Sequence, residues 1–316
     1  MSKNKVPVID LKEGGLSHSQ LKLLDLACRD HGFFLLENHG MQESIDRMWN
    51  ASEWFFRLPR NEKLRILRTE SKPLGYYDRE LTKRKRDLKE VFDFMDPRSN
   101  KDDYNQWPLD DSFKHAMDIF FKDASSVARK TLELVFKSLV HSKLDLPSGN
   151  SDMSTVRLNY YPIGDPLKDY GIHEAVELGE MALNHHTDPG ILTLLLQDMT
   201  GGLQAFSHQD GWIDIAPKKD TIVVNLGDAM QVWTNDQYLA AMHRVSKRTN
   251  ESRYSTPYFY NPSRDEVLKP IKGISDESDH YMSFIWKDYI QGRVDDNYSD
   301  LGEDDIQIAK FRISSR

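Results

Sequence analysis

Cysteine is nearly absent. Cys28 stands alone in 316 residues, so no intramolecular disulfide can form and a cysteine-based zinc or iron–sulfur site is excluded. Also missing is any run of about 20 apolar residues, the length a helix needs to cross a bilayer, so no membrane partner is expected. The opening residues, Met1-Ser2-Lys3-Asn4-Lys5-Val6-Pro7, hold no apolar stretch of signal-peptide length, and a soluble, cytoplasmic protein is expected. Positive charge is in deficit: the net charge of -8 lacks the basic surface that a phosphate backbone requires, which argues against nucleic acid. There is no internal repeat or long linker, and nothing marks an obligate protein partner. The chain is 39% hydrophobic and 29% charged, an ordinary globular composition, and long enough to bury a large core and line a pocket.

The texture changes near residue 150. Before it, helices alternate with short strands. Residues 6–11 read as a strand, and Ser17 followed by Gln20 is a capping-box start for a helix to about Asp30. Gly32 ends that helix, Phe33-Phe34-Leu35-Leu36 is a short buried strand, and another helix is expected over about 42–57. The longest helical pattern covers 111–143, where Phe113, Met117, Phe120, Ala124, Val127, Leu134 and Val135 recur near the helical period. After residue 153 short strands dominate: 156–161, 181–188, 191–196, 203–206, 212–215, 221–226, 230–233, 240–246 and 254–260. Turn residues such as Gly201-Gly202 and Gln209-Asp210-Gly211 separate them. Many short, closely spaced strands predict a sandwich or barrel closed against its edges. The expected organisation is a mostly helical N-terminal region, 1–150, packed on a β-rich core, 151–316, whose residues 281–298 form a helix able to cover its mouth.

Chemistry concentrates in that second part. His186-Thr187-Asp188 lies in a strand-like segment, where side chains at i and i+2 share a face. An imidazole and a carboxylate are thus presented together, and His243, in a second apolar strand, offers a third ligand. Two histidines and one carboxylate on one face of an octahedron leave open positions, the arrangement that suits non-haem iron(II). His185 is the competing candidate, since a slip of one residue would turn it inward. Ten residues past His243 come Arg253 and Ser255, again i and i+2. A guanidinium and a hydroxyl together make a receptor for a carboxylate. The polar stretch 247–252 suggests that His243 and Arg253 flank a hairpin on neighbouring strands. Asn159 and Tyr161 place two polar groups on one strand face before Pro162. Phe259 shares the parity of Arg253 and Ser255 and faces either the pocket or the core. Lys83-Arg84-Lys85-Arg86, with Glu80, Asp87 and Glu90, reads as a solvated helix face; alternatively 75–90, with Gly75 and Tyr76-Tyr77, forms a substrate-facing lid. Cys28 reads as a packed helix residue, His31 and His39 as turn-forming, and His208 as solvated.

In order along the chain these motifs resemble the 2-oxoglutarate/Fe(II) dioxygenases of the isopenicillin N synthase-like superfamily. The resemblance rests on Pro7-Val8-Ile9-Asp10-Leu11, the segment Gly32 through Gly40, Asn159-Tyr160-Tyr161-Pro162, His186-Thr187-Asp188, Gly202-Leu203-Gln204, Asn225-Leu226-Gly227-Asp228, His243-Arg244-Val245 and Arg253-Tyr254-Ser255. It implies a double-stranded β-helix (jelly-roll) core in a mainly β, α+β fold. It implies iron(II) at His186, Asp188 and His243, and 2-oxoglutarate with its distal carboxylate on Arg253 and Ser255 and further contacts to Asn159 and Tyr161. O2 would be the oxidant, with ascorbate as a stimulant. Tyr76 and Phe259 are the expected contacts to a small-molecule substrate. The reaction implied is oxidation of an unactivated C–H bond by hydroxylation, desaturation or ring closure of a secondary metabolite or amino-acid derivative. Three readings compete with it: an oxidase or oxidative cyclase of the same superfamily that uses no 2-oxoglutarate, a non-catalytic small-molecule receptor, and a zinc hydrolase. The chain ends Phe311-Arg312-Ile313-Ser314-Ser315-Arg316 without the glutamine that the name-giving synthase brings to its iron, which favours 2-oxoglutarate. The stretch 163–182 is longer and more charged than the corresponding loop of plant relatives.

Overall fold

Two sheets face each other in the computed structural model, which describes residues 6–12, 15–82, 85–98, 104–140, 144–168, 178, 181–246, 250–298 and 308–313. The larger has the spatial order β1 (Val8–Asp10), β2 (Phe33–Glu37), β12 (Ile222–Leu226), β9 (Leu192–Gln197), β14 (Arg253–Tyr260), β7 (Thr155–Tyr161), β6 (Glu90–Met95) and β3 (Gly75–Tyr77). The smaller runs β11 (Gly211–Asp214), β10 (Leu203–Ser207), β13 (His243–Val245) and β8 (Leu183–His186). Two short pairs, β4 (Leu81–Thr82) with β5 (Lys85–Arg86) and β15 (Val267–Leu268) with β16 (Phe284–Ile285), lie outside these sheets. The helices are α1 (His18–Asp30), α2 (Gln42–Arg57), α3 (Arg60–Lys63), α4 (Asp111–Leu139), α5 (Asp228–Trp233) and α6 (Trp286–Tyr298). The expected jelly-roll core in an α+β fold is present. None of the described helices is long and apolar enough to cross a membrane.

Strand alternation assigns the two faces of the large sheet. Register pairs Ser255 with both Asn159 and Gln197, and Thr193 with both Phe259 and Asn225, so the odd-numbered residues of these strands share one face. That face turns to the small sheet, where Phe33, Leu35, Leu195 and Val223 meet Leu203, Ala205 and Val245. The even-numbered face packs on helices: Phe92, Phe94, Leu158, Leu194 and Tyr258 join Phe55, Phe113, Phe121 and Val127. Each fully buried Phe or Leu there contributes roughly 1.5–3 kcal/mol. α1 begins with the expected capping box, Ser17 accepting from the Gln20 amide and Gln20 accepting from the Ser17 amide. His31 and His39 accept the Phe33 and Met41 amides, as turn-forming residues do.

Three local expectations are corrected. The charged stretch near 80–90 is β-structure and largely buried, not a solvated helix face: Lys85 is exposed, but Arg86 pairs with Asp165, and Lys89 with Glu80 and Asp87. Alternating charge usually marks solvent, but here Arg86 and Lys89 meet acids inside the protein. Lys83 and Arg84 lie outside the described residues, as does most of the unusual stretch 163–182. Residues 230–233, expected as a strand, belong to α5, because a short apolar run has no periodicity of its own to separate the two. Finally, His243 and Arg253 do not flank a hairpin pair, since β13 belongs to the small sheet and β14 to the large one. In the first half β1 and β2 are the expected strands, and β3 and β6 join them in the large sheet.

Candidate active site

The two histidines are brought together by strand pairing, for His186 of β8 sits directly opposite His243 of β13. Their rings lie 4.3 Å apart between centroids. Each Nδ1 is 2.8 Å from a backbone carbonyl, Asn184 for His186 and Ala241 for His243. That bond puts the proton on Nδ1 and leaves the Nε2 lone pair facing inward. His185 points the other way, exposed and edge-on to Trp212, so the one-residue slip does not occur.

Asp188 lies just past the end of β8 rather than within it. Its place is set by tertiary bonds. Thr193 of β9 donates to Oδ2 at 2.5 Å and Asn225 of β12 donates to the same oxygen at 2.8 Å. Oδ1 is left toward the histidines, 3.7 Å from Nε2 of His186 and 3.8 Å from Nε2 of His243. The backbone is held as well. The first amides of α5, those of Asp228 and Ala229, donate to the carbonyls of Asp188 and Gly190. Gly227 comes so close that a Cβ there would sit 2.2 Å from the Gly190 carbonyl oxygen. Arg293 of α6 adds a bond at 2.9 Å to the carbonyl of Thr187, between the two ligands.

Electrostatics favour a cation here. Burial, then the neighbouring His243, pushes the His186 pKa down to about 3, so its imidazole is neutral near pH 7. Burial works against charge on Asp188, but the two imidazoles and the bonds from Thr193 and Asn225 keep its carboxyl below the usual range. One ligand atom from each of the three residues lies within 4.8 Å of the others. Two imidazole nitrogens and a carboxylate oxygen gathered this closely are a donor set that would hold a divalent metal such as iron(II).

Across the cavity stands Arg253, 1% exposed, on the odd-numbered face of β14. Its Nε donates to the Gly201 carbonyl at 2.9 Å, and its guanidinium lies 5.1 Å from the centre of the Tyr161 ring. Its Nη1 is buried with no hydrogen-bond partner among the described residues. A buried charged donor left open is costly unless a ligand meets it, and a carboxylate fits that requirement. Ser255 is the next odd residue, Asn159 pairs with it, and Tyr161 pairs with Arg253. The cavity, about 160 Å³, is lined by all seven of these expected metal and co-substrate residues and by Phe259. Tyr76 lies elsewhere. It is even-numbered relative to the sheet, packs its ring against Phe55 among the helices, and donates to Glu90 at 2.7 Å.

Thr193, Arg68, Arg157 and Arg293 line the cavity without having been singled out in the sequence, and Asn225, Glu80 and Lys89 were quoted there only within longer segments and given no role of their own. A signal existed for Thr193 and Asn225. Asn225 is the one polar residue of β12, and Thr193 is the one polar residue in the buried part of β9, which ends at the half-buried Gln197; a buried polar group requires a partner.

Comparison with known proteins bears on the same regions. The pattern of the 2OG-Fe(II) oxygenase superfamily matches residues 153–262, and that of the non-haem dioxygenase in morphine synthesis N-terminal region matches 6–110. The chain is 32% identical over 305 residues to 1-aminocyclopropane-1-carboxylate oxidase 3 of Arabidopsis thaliana, covering 91% of this chain and 88% of the relative. It is 30% identical over 305 residues to gibberellin 2-beta-dioxygenase 4 of the same plant, covering 90% and 89%. Among solved structures, a full-length Neurospora crassa protein in complex with alpha-KG superposes with a TM-score of 0.77 at 25% identity, covering 92% of this chain and 95% of that one. JOX2 in complex with 2OG, Fe and JA gives 0.75 at 25% identity, covering 91% and 84%.

Proposed function

The chain belongs to the 2OG-Fe(II) oxygenase superfamily, and from that premise we propose that His186, Asp188 and His243 hold its iron and that Arg253 and Ser255 bind the far carboxylate of 2-oxoglutarate. It is an oxidoreductase, a 2-oxoglutarate-dependent non-haem iron dioxygenase, with iron(II) and 2-oxoglutarate as cofactor and co-substrate. Its general activity is oxidation of small molecules, the kind for which its gibberellin, 1-aminocyclopropane-1-carboxylate and flavone relatives are named. The finer proposal is attack on an unactivated C–H bond by hydroxylation, desaturation or ring closure of a secondary metabolite or amino-acid derivative. Residues 151–316 would carry the chemistry, with 1–150 supporting the cavity wall.

When bound, iron and 2-oxoglutarate supply the oxidising power, and the protein supplies binding, orientation and exclusion of water. His186 and His243 would present Nε2, and Asp188 would present Oδ1 while Thr193 and Asn225 restrain Oδ2. Arg253 and Ser255, with Asn159 and Tyr161 beside them, would fix the co-substrate so that its other end reaches the metal. The observation that supports this reading best is the buried Nη1 of Arg253, without a hydrogen-bond partner among the described residues, on a side chain that lines the same cavity as the two-histidine, one-carboxylate cluster.

The test is anaerobic. Iron(II) and then 2-oxoglutarate are added to metal-free protein while visible absorption is recorded. A weak charge-transfer band that needs both and is lost in His186→Ala is the expected result. Tight iron binding without a band would sink the chelated complex, and an oxidase that draws all electrons from its substrate would take its place.

A further inference from the structure

Arg253 is held on two of its three nitrogens by the protein itself. Nε donates to the Gly201 carbonyl at 2.9 Å, and Nη2 donates to Oε1 of Gln197 at 3.5 Å. Nη1 is left, buried and without a hydrogen-bond partner among the described residues. An arginine side chain carries much rotamer freedom, and its planar fork meets a carboxylate well only in a narrow range of directions. Whatever fixes Arg253 beforehand therefore bears on how tightly it can hold a ligand. Gln197 suits that task because its amide has one allowed orientation. Its Nε2 donates to the Ile215 carbonyl at 3.3 Å, so Oε1 is the end that faces Arg253. Turned over, the amide would set NH2 against N–H and oxygen against oxygen, and both contacts would fail. Ile215 is tied down in turn, its amide donating to the Leu203 carbonyl of β10 at 2.9 Å.

The turn after β9 grips the same place. Gly201 and Gly202 have φ of 81° and 91°, a left-handed path that glycine takes without strain and that brings the Gly201 carbonyl to Nε. Asp198 exchanges bonds with the backbone of Tyr254, accepting from its amide at 2.5 Å and donating to its carbonyl at 3.1 Å. The Thr200 hydroxyl donates to the Ser252 carbonyl at 3.4 Å. Both chain neighbours of Arg253 are thus tied to Asp198 and Thr200, and its side chain to Gln197 and Gly201. Gln197 also pairs with Ser255 in register and shares its face. It is not among the residues that line the cavity, so it acts on a ligand there through Arg253.

We propose that Gln197 is a positioning residue of the co-substrate site. It holds the Arg253 guanidinium at one distance from the metal cluster, and so sets both the affinity for 2-oxoglutarate and the preference for its chain length. This rests on the assignment of Arg253 and the metal cluster above. Iron(II)-loaded protein is titrated anaerobically with 2-oxoglutarate, with oxaloacetate, one carbon shorter, and with 2-oxoadipate, one carbon longer, following the charge-transfer band. Iron affinity is measured separately by competition with a chelator. Gln197→Met keeps the length of the side chain and removes both hydrogen bonds. It should raise the half-saturating concentration of 2-oxoglutarate about tenfold, the effect of losing one hydrogen bond to a charged group. The other two acids should lose less, and iron affinity should not change. Gln197→Glu sets a second anion against the guanidinium and an oxygen against the Ile215 carbonyl, so its loss should exceed that of Gln197→Met, and it serves if the methionine variant does not fold. Either variant binding 2-oxoglutarate like the native chain, an equal loss for all three acids, or a parallel fall in iron affinity would each overturn the positioning role and leave Arg253 as the anchor. A band that never forms in the native chain overturns the assignment itself, and the proposal with it.

Discussion

Asp188 divides its oxygens between two tasks, Oδ2 accepting from Thr193 and Asn225 and Oδ1 facing the histidines. That division argues for a first prediction. Thr193→Val keeps the shape and removes one donor, so iron affinity should fall about 10–100-fold, the usual effect of losing an outer partner of a metal ligand. Competition with a chelator measures it, and an unchanged affinity would mean that Asn225 alone orients the carboxylate. Arg253 supports a second. Arg253→Ala should weaken 2-oxoglutarate by roughly 2–5 kcal/mol, the range for truncating a buried, hydrogen-bonded charge pair. Titration of the iron-loaded protein with 2-oxoglutarate reads this directly, and a dissociation constant like that of the native chain removes Arg253 from the anchor.

At the scale of elements, the metal loop is clamped between α5 and α6. Amides of α5 meet the carbonyls of Asp188 and Gly190, and Arg293 of α6 meets that of Thr187. Tyr289 donates to Asp228 and ties the two helices to each other. The close approach leaves no room for a Cβ at Gly227. Gly227→Ala should therefore cost about 1–3 kcal/mol, the range for overpacking, and lower metal affinity as α5 is pushed from the loop. Denaturation with and without metal separates these effects, and a variant as stable as the native chain would show that the loop has slack. The β-strands explain what was readable at this scale. β7 and β14 present Asn159, Tyr161, Arg253 and Ser255 by simple alternation, whereas α5 and the buried pairs of 80–90 depend on partners distant in the chain.

For the whole molecule, the neutral buried histidines make stability depend on pH. His186 is pushed down to about 3, and burial also lowers His31 and His39. In the unfolded chain each titrates near 6.5. Between those values the unfolded state binds protons that the folded state refuses, so this stabilisation is complete above about pH 6.5 and is lost as the pH falls. Metal-free protein should thus lose stability on acidification below about pH 6.5, with a slope of up to about 1.4 kcal/mol per pH unit for each such group. Denaturant midpoints across that range test it, and a flat profile to pH 4 would contradict the burial. Added metal binds only the folded state, so it should stabilise by about 2.7 kcal/mol at 100 times its dissociation constant, an effect that a chelator reverses.

Local sequence was enough to propose Arg253 and Ser255 as one face of a strand and to expect a β-rich second half, because these follow from short-range rules, whereas Asp188 lies past the end of β8 and is placed by Thr193 and Asn225. Two residues apart on a strand means one face, and a capping box starts a helix wherever it occurs. It also carried the polar residues Thr193 and Asn225 in apolar strands, whose partner was not legible. It took the folded chain to turn His186 rather than His185 inward, since that depends on register with His243. The folded chain likewise placed Arg253 in the sheet opposite His243, Tyr76 among the helices, and the charged stretch near 80–90 at the cavity wall. The reason is common to all four. Register, sheet membership and the burial of charge are set by partners distant in the chain, and local pattern carries no record of which partner arrives.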